Sequence, residues 1–146
     1  LDPPRYRLSE MTRLYAAECL AAAGETLAVE QRHGLAMAAR ADEALAALWT
    51  STDAQWIPSI APDADDLQAA ADRALATRDA EVAAPVLELL IRLDMQRGLD
   101  AMLRPRMRMA QQLLAFAQGA CRARLLQCAA PKSPPRRTCS SAFAPC

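Results

Sequence analysis

An all-α bundle of four to five helices with a flexible, Pro-rich C-terminal tail is the fold this sequence predicts, and three observations predict it. Of 146 residues 53% are hydrophobic but only 4% aromatic, and the apolar residues are mostly Ala and Leu, which favours helix over sheet. Only 4 glycines interrupt the chain. Apolar residues recur at helical spacing through most of its length. The length suits one domain with a core of its own. No apolar run reaches the roughly 18–20 residues of a membrane-spanning helix, and no leader-like segment opens the chain. A soluble helical protein is therefore expected.

Residues 1–8 are expected to form an extended arm, because Pro3 and Pro4 lack backbone donors and disfavour helix before them. Residues 9–130 then form the bundle. Ser9 caps a first helix over 9–23, with Met11, Tyr15, Cys19 and Ala22 on one side, and Gly24 either ends it or is a soft point within one helix of about 40 residues. From Thr26 to about Trp49 a second helix carries the stripe Leu27, Gln31, Leu35, Ala38, Leu45 and Trp49. Residues 50–62, TSTDAQWIPSIAP, read as a loop because two prolines fall among Ser, Thr and Asp. Asp63 caps a third helix with Asp65 and Asp66 in its first turn, a narrow face of small residues, and an end near Arg78.

Asp79 or Ala84 opens the fourth helix, apolar on most sides through Val86, Leu87, Leu89, Leu90, Ile91 and Leu93, so it should be the buried centre. Arg97 and Gly98 stop it. The last helix is read as running from about Leu99 to Cys128, bending at Pro105. Its stripe of Leu99, Leu103, Met107, Ala110, Leu114, Ala117, Cys121, Leu125 and Cys128 spans an arc of about 80°. Residues 131–146, rich in Pro, Ser, Arg and Cys, cannot build a core and form the tail.

The zero net charge conceals an asymmetry. Residues 1–100 hold all 17 acids against 9 Arg, a net −8; residues 101–146 hold 7 Arg, Lys132 and no acid, a net +8. The basic end either packs across the acidic helices of its own fold or meets an acidic partner. Arg106 and Arg124 lie eighteen residues apart, five helical turns, at the edge of the last helix's stripe. Arginines there require partners, and Glu81, Glu88 and Asp94 are the candidates. Arg104, Arg108 and Arg122 point away from the stripe and join them as candidate interaction residues. A nucleic-acid surface is disfavoured, because no aromatic residues interleave with the arginines.

The catalytic inventory is thin. Any imidazole chemistry falls to His33, the single histidine, which lies about 140° or more from the second helix's stripe and so should face solvent as an ordinary surface residue. Glu30 and His33 have the E-x-x-H spacing of di-iron bundles, but a site needs two such motifs, and this chain holds one. Over a few residues RHGLAMAAR resembles the histidine-bearing helix of phosphotransfer bundles. That resemblance implies phosphate uptake at His33, with Ala36 where such helices carry a Lys and Arg40 as the substitute cation. The glycines are isolated, so there is no phosphate-binding loop. Cys121 and Cys128 are seven residues apart, about 10.5 Å along a helix, too far to bridge. Cys139 and Cys146 could pair in the tail. No cysteine spacing fits a metal or redox site, and mostly reduced thiols favour an intracellular or organellar setting.

The sequence therefore points to no catalysis, no metal and no cofactor. The expected function is a non-catalytic protein–protein interaction or scaffold subunit, an accessory component of a larger assembly. Its partners would be other protein subunits, acidic surfaces among them, or further copies of itself. Trp56, Ile57 and Ile60 in the 50–62 segment either fold back onto the bundle or present an aromatic anchor to another protein; in the second case they form its contact surface together with the arginines of the last helix. The alternative is a ligand- or nucleic-acid-binding regulator using those arginines, and a third reading is phosphotransfer at His33.

Overall fold

The computed structural model describes residues 8–130; the predicted arm over 1–7 and the tail over 131–146 lie outside the described residues. Those described are helical throughout, with no strand among them: α1 (Glu10–Ala23), α2 (Thr26–Ala47), α3 (Asp53–Ile60), a 3₁₀ turn (Ala61–Asp63), α4 (Ala64–Thr77), α5 (Ala80–Arg97), α6 (Asp100–Leu113) and α7 (Gly119–Ala129). Six of these helices, α2 to α7, pack together, more than the four to five expected.

The extra helices arise in two places. The segment read as a loop contains α3, because Thr52 and Gln55 form a capping box in which the Thr52 N–H donates to Gln55 Oε1 at 3.4 Å. Pro58 is accommodated as the sixth residue of that helix. The second place is the long C-terminal helix, which is two. Gly119 takes a left-handed φ of 53°, which no helix interior accepts, and residues 114–118 turn the chain back. An orphan carbonyl at the end of α6 is satisfied when Arg122 Nη1 donates to Leu114 O at 2.6 Å. The stripe missed this break because Ala110, Ala117, Leu125 and Cys128 are all buried on one side of it or the other.

Helix α5 is the axle. Val82 to Leu87, Leu89 to Ile91 and Leu93 are all buried, and α2, α3, α4, α6 and α7 pack around it. Its ends are defined chemically. Asp79 Oδ1 accepts from Val82 N–H at 3.1 Å, and Gly98 closes the other end in a left-handed turn in which Leu99 N–H donates to Asp94 O at 2.8 Å. Helix α4 ends in the same way, but with Arg78 at φ 60° in place of glycine. Its guanidinium lies 4.8 Å from the Phe116 ring in the α6–α7 turn, a cation–π contact that offsets part of the backbone strain.

The α2 face that meets α5 is not the stripe of large residues. Gly34, Ala41 and Ala44 are buried, whereas Leu27, Leu35 and Trp49 are exposed. By helical steps the buried face lies about 90° from the expected one. Close approach explains the exchange: a Cβ on Gly34 would lie 3.4 Å from Val82 Cγ1, so small residues let the two helices draw together.

Candidate functional site

The arginine seam is internal. Arg106, 7% exposed, donates through Nε to Asp94, 4% exposed, and through Nη1 to Gln68 at 2.6 Å. It thereby ties α6 to α5 and α4. Arg124 on α7 meets Glu88 on α5 and Asp42 on α2, each at 2.8 Å. Burial pulls the Arg124 pKa down, but its hydrogen bonds to Glu88 and Asp42 outweigh that and raise it. Of the expected acids, Glu88 and Asp94 are used and Glu81 is exposed. Arg122 is spent on the α6 carboxyl end, and Arg104 and Arg108 remain exposed.

The candidate anchor is also internal. Trp56 is 1% exposed, and its indole Nε1 donates to Ala44 O at 2.7 Å. Ile60 is buried and Ile57 half-buried. These side chains therefore do not present an aromatic surface; they fasten α3 to α2 and α5. Of the two readings of this apolar segment, the packing agrees with the one in which it folds back onto the bundle. Arg40 completes the corner, donating to Asp63 at 3.0 Å and to Ser59 O at 2.9 Å. It is thus held at that corner by both contacts.

His33 is half-buried, contrary to the expectation of a solvent-facing residue, because the true core face of α2 brings it to the rim of α4. Arg73 of α4 donates an Nη2 hydrogen to its Nδ1, which places the ring proton on Nε2 in the neutral form. Burial lowers the His33 pKa, the Arg73 charge lowers it further, and Asp66 opposes both. A neutral imidazole beside a guanidinium has a stability signature. Its contribution is complete above the unfolded-state value of about 6.5 and is lost as pH falls through the lower folded-state value. The stability difference between the native chain and His33→Gln should therefore shrink as pH is lowered from 7.5 through 6.5 and below, read by urea unfolding at each pH. A difference that grows on acidification overturns this arrangement.

Beside this pair lies a groove of about 500 Å³ between α2, the end of α4 and the start of α5. Gly34, Ala70, Ala74 and Val82 form its floor, Leu27, Glu30 and Gln31 its outer wall, and Arg73, Thr77 and Asp79 its far side. Sequence reasoning missed Arg73, which carries no motif; its position opposite His33 depends on how α2 and α4 cross. No group of three or more His, Cys, Asp or Glu among the described residues could hold a metal ion. Cys128 is buried, Cys121 half-buried and Cys19 exposed. No described helix is long and apolar enough to cross a membrane.

The least expected surface is α1. Both its ends are capped, with Thr12 N–H donating to Ser9 Oγ at 3.2 Å and Glu25 N–H to Leu20 O at 3.0 Å, yet it buries no residue. Its packing is against α2. Leu8, Met11, Leu14 and Tyr15 are all exposed, Met11 at 75% and Tyr15 at 69%. Comparison of the chain with protein-family models, with curated proteins and with solved structures returned no significant match.

Proposed function

We propose that this chain is a non-catalytic helical interaction subunit, a scaffold or accessory component of a larger protein assembly, and that α1 is its contact element. The observation that carries this reading is a helix capped at both ends with no buried side chain, whose Met11, Leu14 and Tyr15 stand in solvent with Leu8 just before it. A helix of 14 residues is marginal in water without tertiary packing. A contiguous apolar face on a folded protein marks a surface that another protein covers. The contact role thus passes from Trp56, Ile57 and Ile60, which the core absorbs, to α1. Leu35 on the outer flank of α2 adds to the same apolar character.

The alternative of a ligand- or nucleic-acid-binding regulator built on the C-terminal arginines is left with Arg104 and Arg108, since Arg106, Arg122 and Arg124 have internal partners. Phosphate transfer at His33 has its Nδ1 already occupied by Arg73 and Arg40 committed to Asp63.

Met11→Glu combined with Tyr15→Glu tests the reading, because both side chains are exposed. Unfolding free energy should change by no more than about 0.5 kcal/mol, the usual range for surface substitutions. The solution mass of the native chain, or its stoichiometric co-purifying subunit, should be lost in the double variant. An unchanged assembly state in that variant, or a stability loss of several kcal/mol, overturns α1 as the contact element.

A further inference from the structure

Arg73 is the one cation among the described residues that line the groove between α2, α4 and α5. Arg40, Arg106 and Arg124 each meet an acid within 4.0 Å, whereas Arg73 makes no such ion pair among the described residues. Its one described hydrogen bond from the guanidinium goes to neutral His33, and its Nε is buried without any partner. Arg92 shares an orphaned Nε but does not line the groove. A guanidinium held from one side by an imidazole, beside a cavity of about 500 Å³, is positioned for an anion.

Further features of the lining define that anion. Its walls carry apolar surface from Leu27, Ala70, Ala74 and Val82, and no aromatic ring on which a base could stack. Two acids, Glu30 and Asp79, line the same space, and Asp79 has one oxygen engaged by Val82 N–H. Their charge disfavours a dianionic phosphate and tolerates a single negative charge placed on Arg73. We propose that this groove binds a small monocarboxylic acid with an apolar body, its carboxylate paired with Arg73 and its hydrocarbon part against Leu27, Ala70, Ala74 and Val82. His33 is the positioning residue that holds the guanidinium in place. This site is independent of the α1 contact element, and Met11 and Tyr15 take no part in its lining.

The test is a titration of the isotopically labelled full chain with octanoate, with 1-octanol as the neutral probe of equal length, followed by amide resonances. Octanoate should saturate, shift the Gly34, Ala70 and Ala74 amides, and bind at least tenfold more tightly than 1-octanol. Arg73→Gln should reduce octanoate affinity to that of the alcohol while leaving helicity unchanged. The proposal is overturned if octanoate fails to bind, if the two probes bind equally to the native chain, or if the shifts centre on Met11 and Tyr15. It is equally overturned if folded Arg73→Gln binds octanoate as the native chain does. Should Arg73→Gln not fold, the two-probe comparison on the native chain decides the matter by itself.

Discussion

Trp56→Ala should lower the unfolding free energy by about 3–5 kcal/mol, the range for truncating a large buried aromatic residue. The indole is enclosed between α2, α3 and α5, so its removal leaves a cavity that the two-turn helix α3 cannot collapse to fill. The Ala44 carbonyl does not become an orphan, because Leu48 N–H also donates to it at 3.2 Å. The loss is therefore one of packing more than of hydrogen bonding. Trp56→Phe separates the two, keeping most of the ring and costing about 1–2 kcal/mol for the missing donor and part of the volume. Urea unfolding followed by circular dichroism measures both, with an unchanged m-value as the sign that only stability has moved. A change below about 1 kcal/mol for Trp56→Ala, with a loss of partner binding instead, returns the indole to the surface role, the other of the two read from the sequence.

A loss of similar size is expected for Asp94→Ala. It strands Arg106 in the interior with only the Gln68 amide oxygen as acceptor, and removing one member of a buried ion pair typically costs about 3–5 kcal/mol. Against a total stability of roughly 5–15 kcal/mol for a domain, that leaves the chain close to its unfolding threshold. Replacing both charges, Asp94→Leu with Arg106→Met, should recover most of the loss, because the desolvation cost disappears along with the attraction. Thermal and urea unfolding of the single and double variants give the coupling directly. If Asp94→Ala and the double variant prove equally unstable, the deficit lies in the shape of the α5–α6 contact and not in stranded charge.

Much of the architecture was legible because its signals are local. Ser9 and Gly98 mark helix ends through bonds made within a few residues and fall where the sequence places them, and the structure decides the two open cases for Gly24 as a helix end and for Asp79 as a cap. The continuous apolar run of α5 requires burial on every side, whatever surrounds it. Thr52-x-x-Gln55 was equally local, and the helix it opens was hidden behind Pro58, which reads as a breaker yet stands as the sixth residue of that helix. What could not be read was the orientation of α2. A face of Gly and Ala carries almost no hydropathy signal, so the larger Leu27 and Leu35 appeared to be the inside. That single rotation explains both misplacements that bear on function, with His33 brought to the α4 rim and an apolar flank left in solvent. Glu88 and Asp94 were legible as partners because charge at a core edge limits the choice, whereas Asp42, the second acid at Arg124, was not. Arg73 was not, since its meaning comes only from the crossing of two helices forty residues apart.

The position of α5 at the hub also dictates an order of events. Helices α4, α5 and α6 are joined by connections of two residues each, Arg78–Asp79 and Gly98–Leu99, so their contacts close over short stretches of chain. Local contacts of this kind form quickly, and a folding nucleus made of α4, α5 and α6 follows from the topology. Helix α2 is made before α4, α5 and α6, yet its small-residue face finds Val82 only after more than thirty further residues have been made. Until then the Gly34, Ala41 and Ala44 face of α2 has no helix to pack against. Truncation of Gly34-facing Val82 to Ala should accordingly speed unfolding while leaving the folding rate nearly unchanged, because that contact forms after the rate-limiting step.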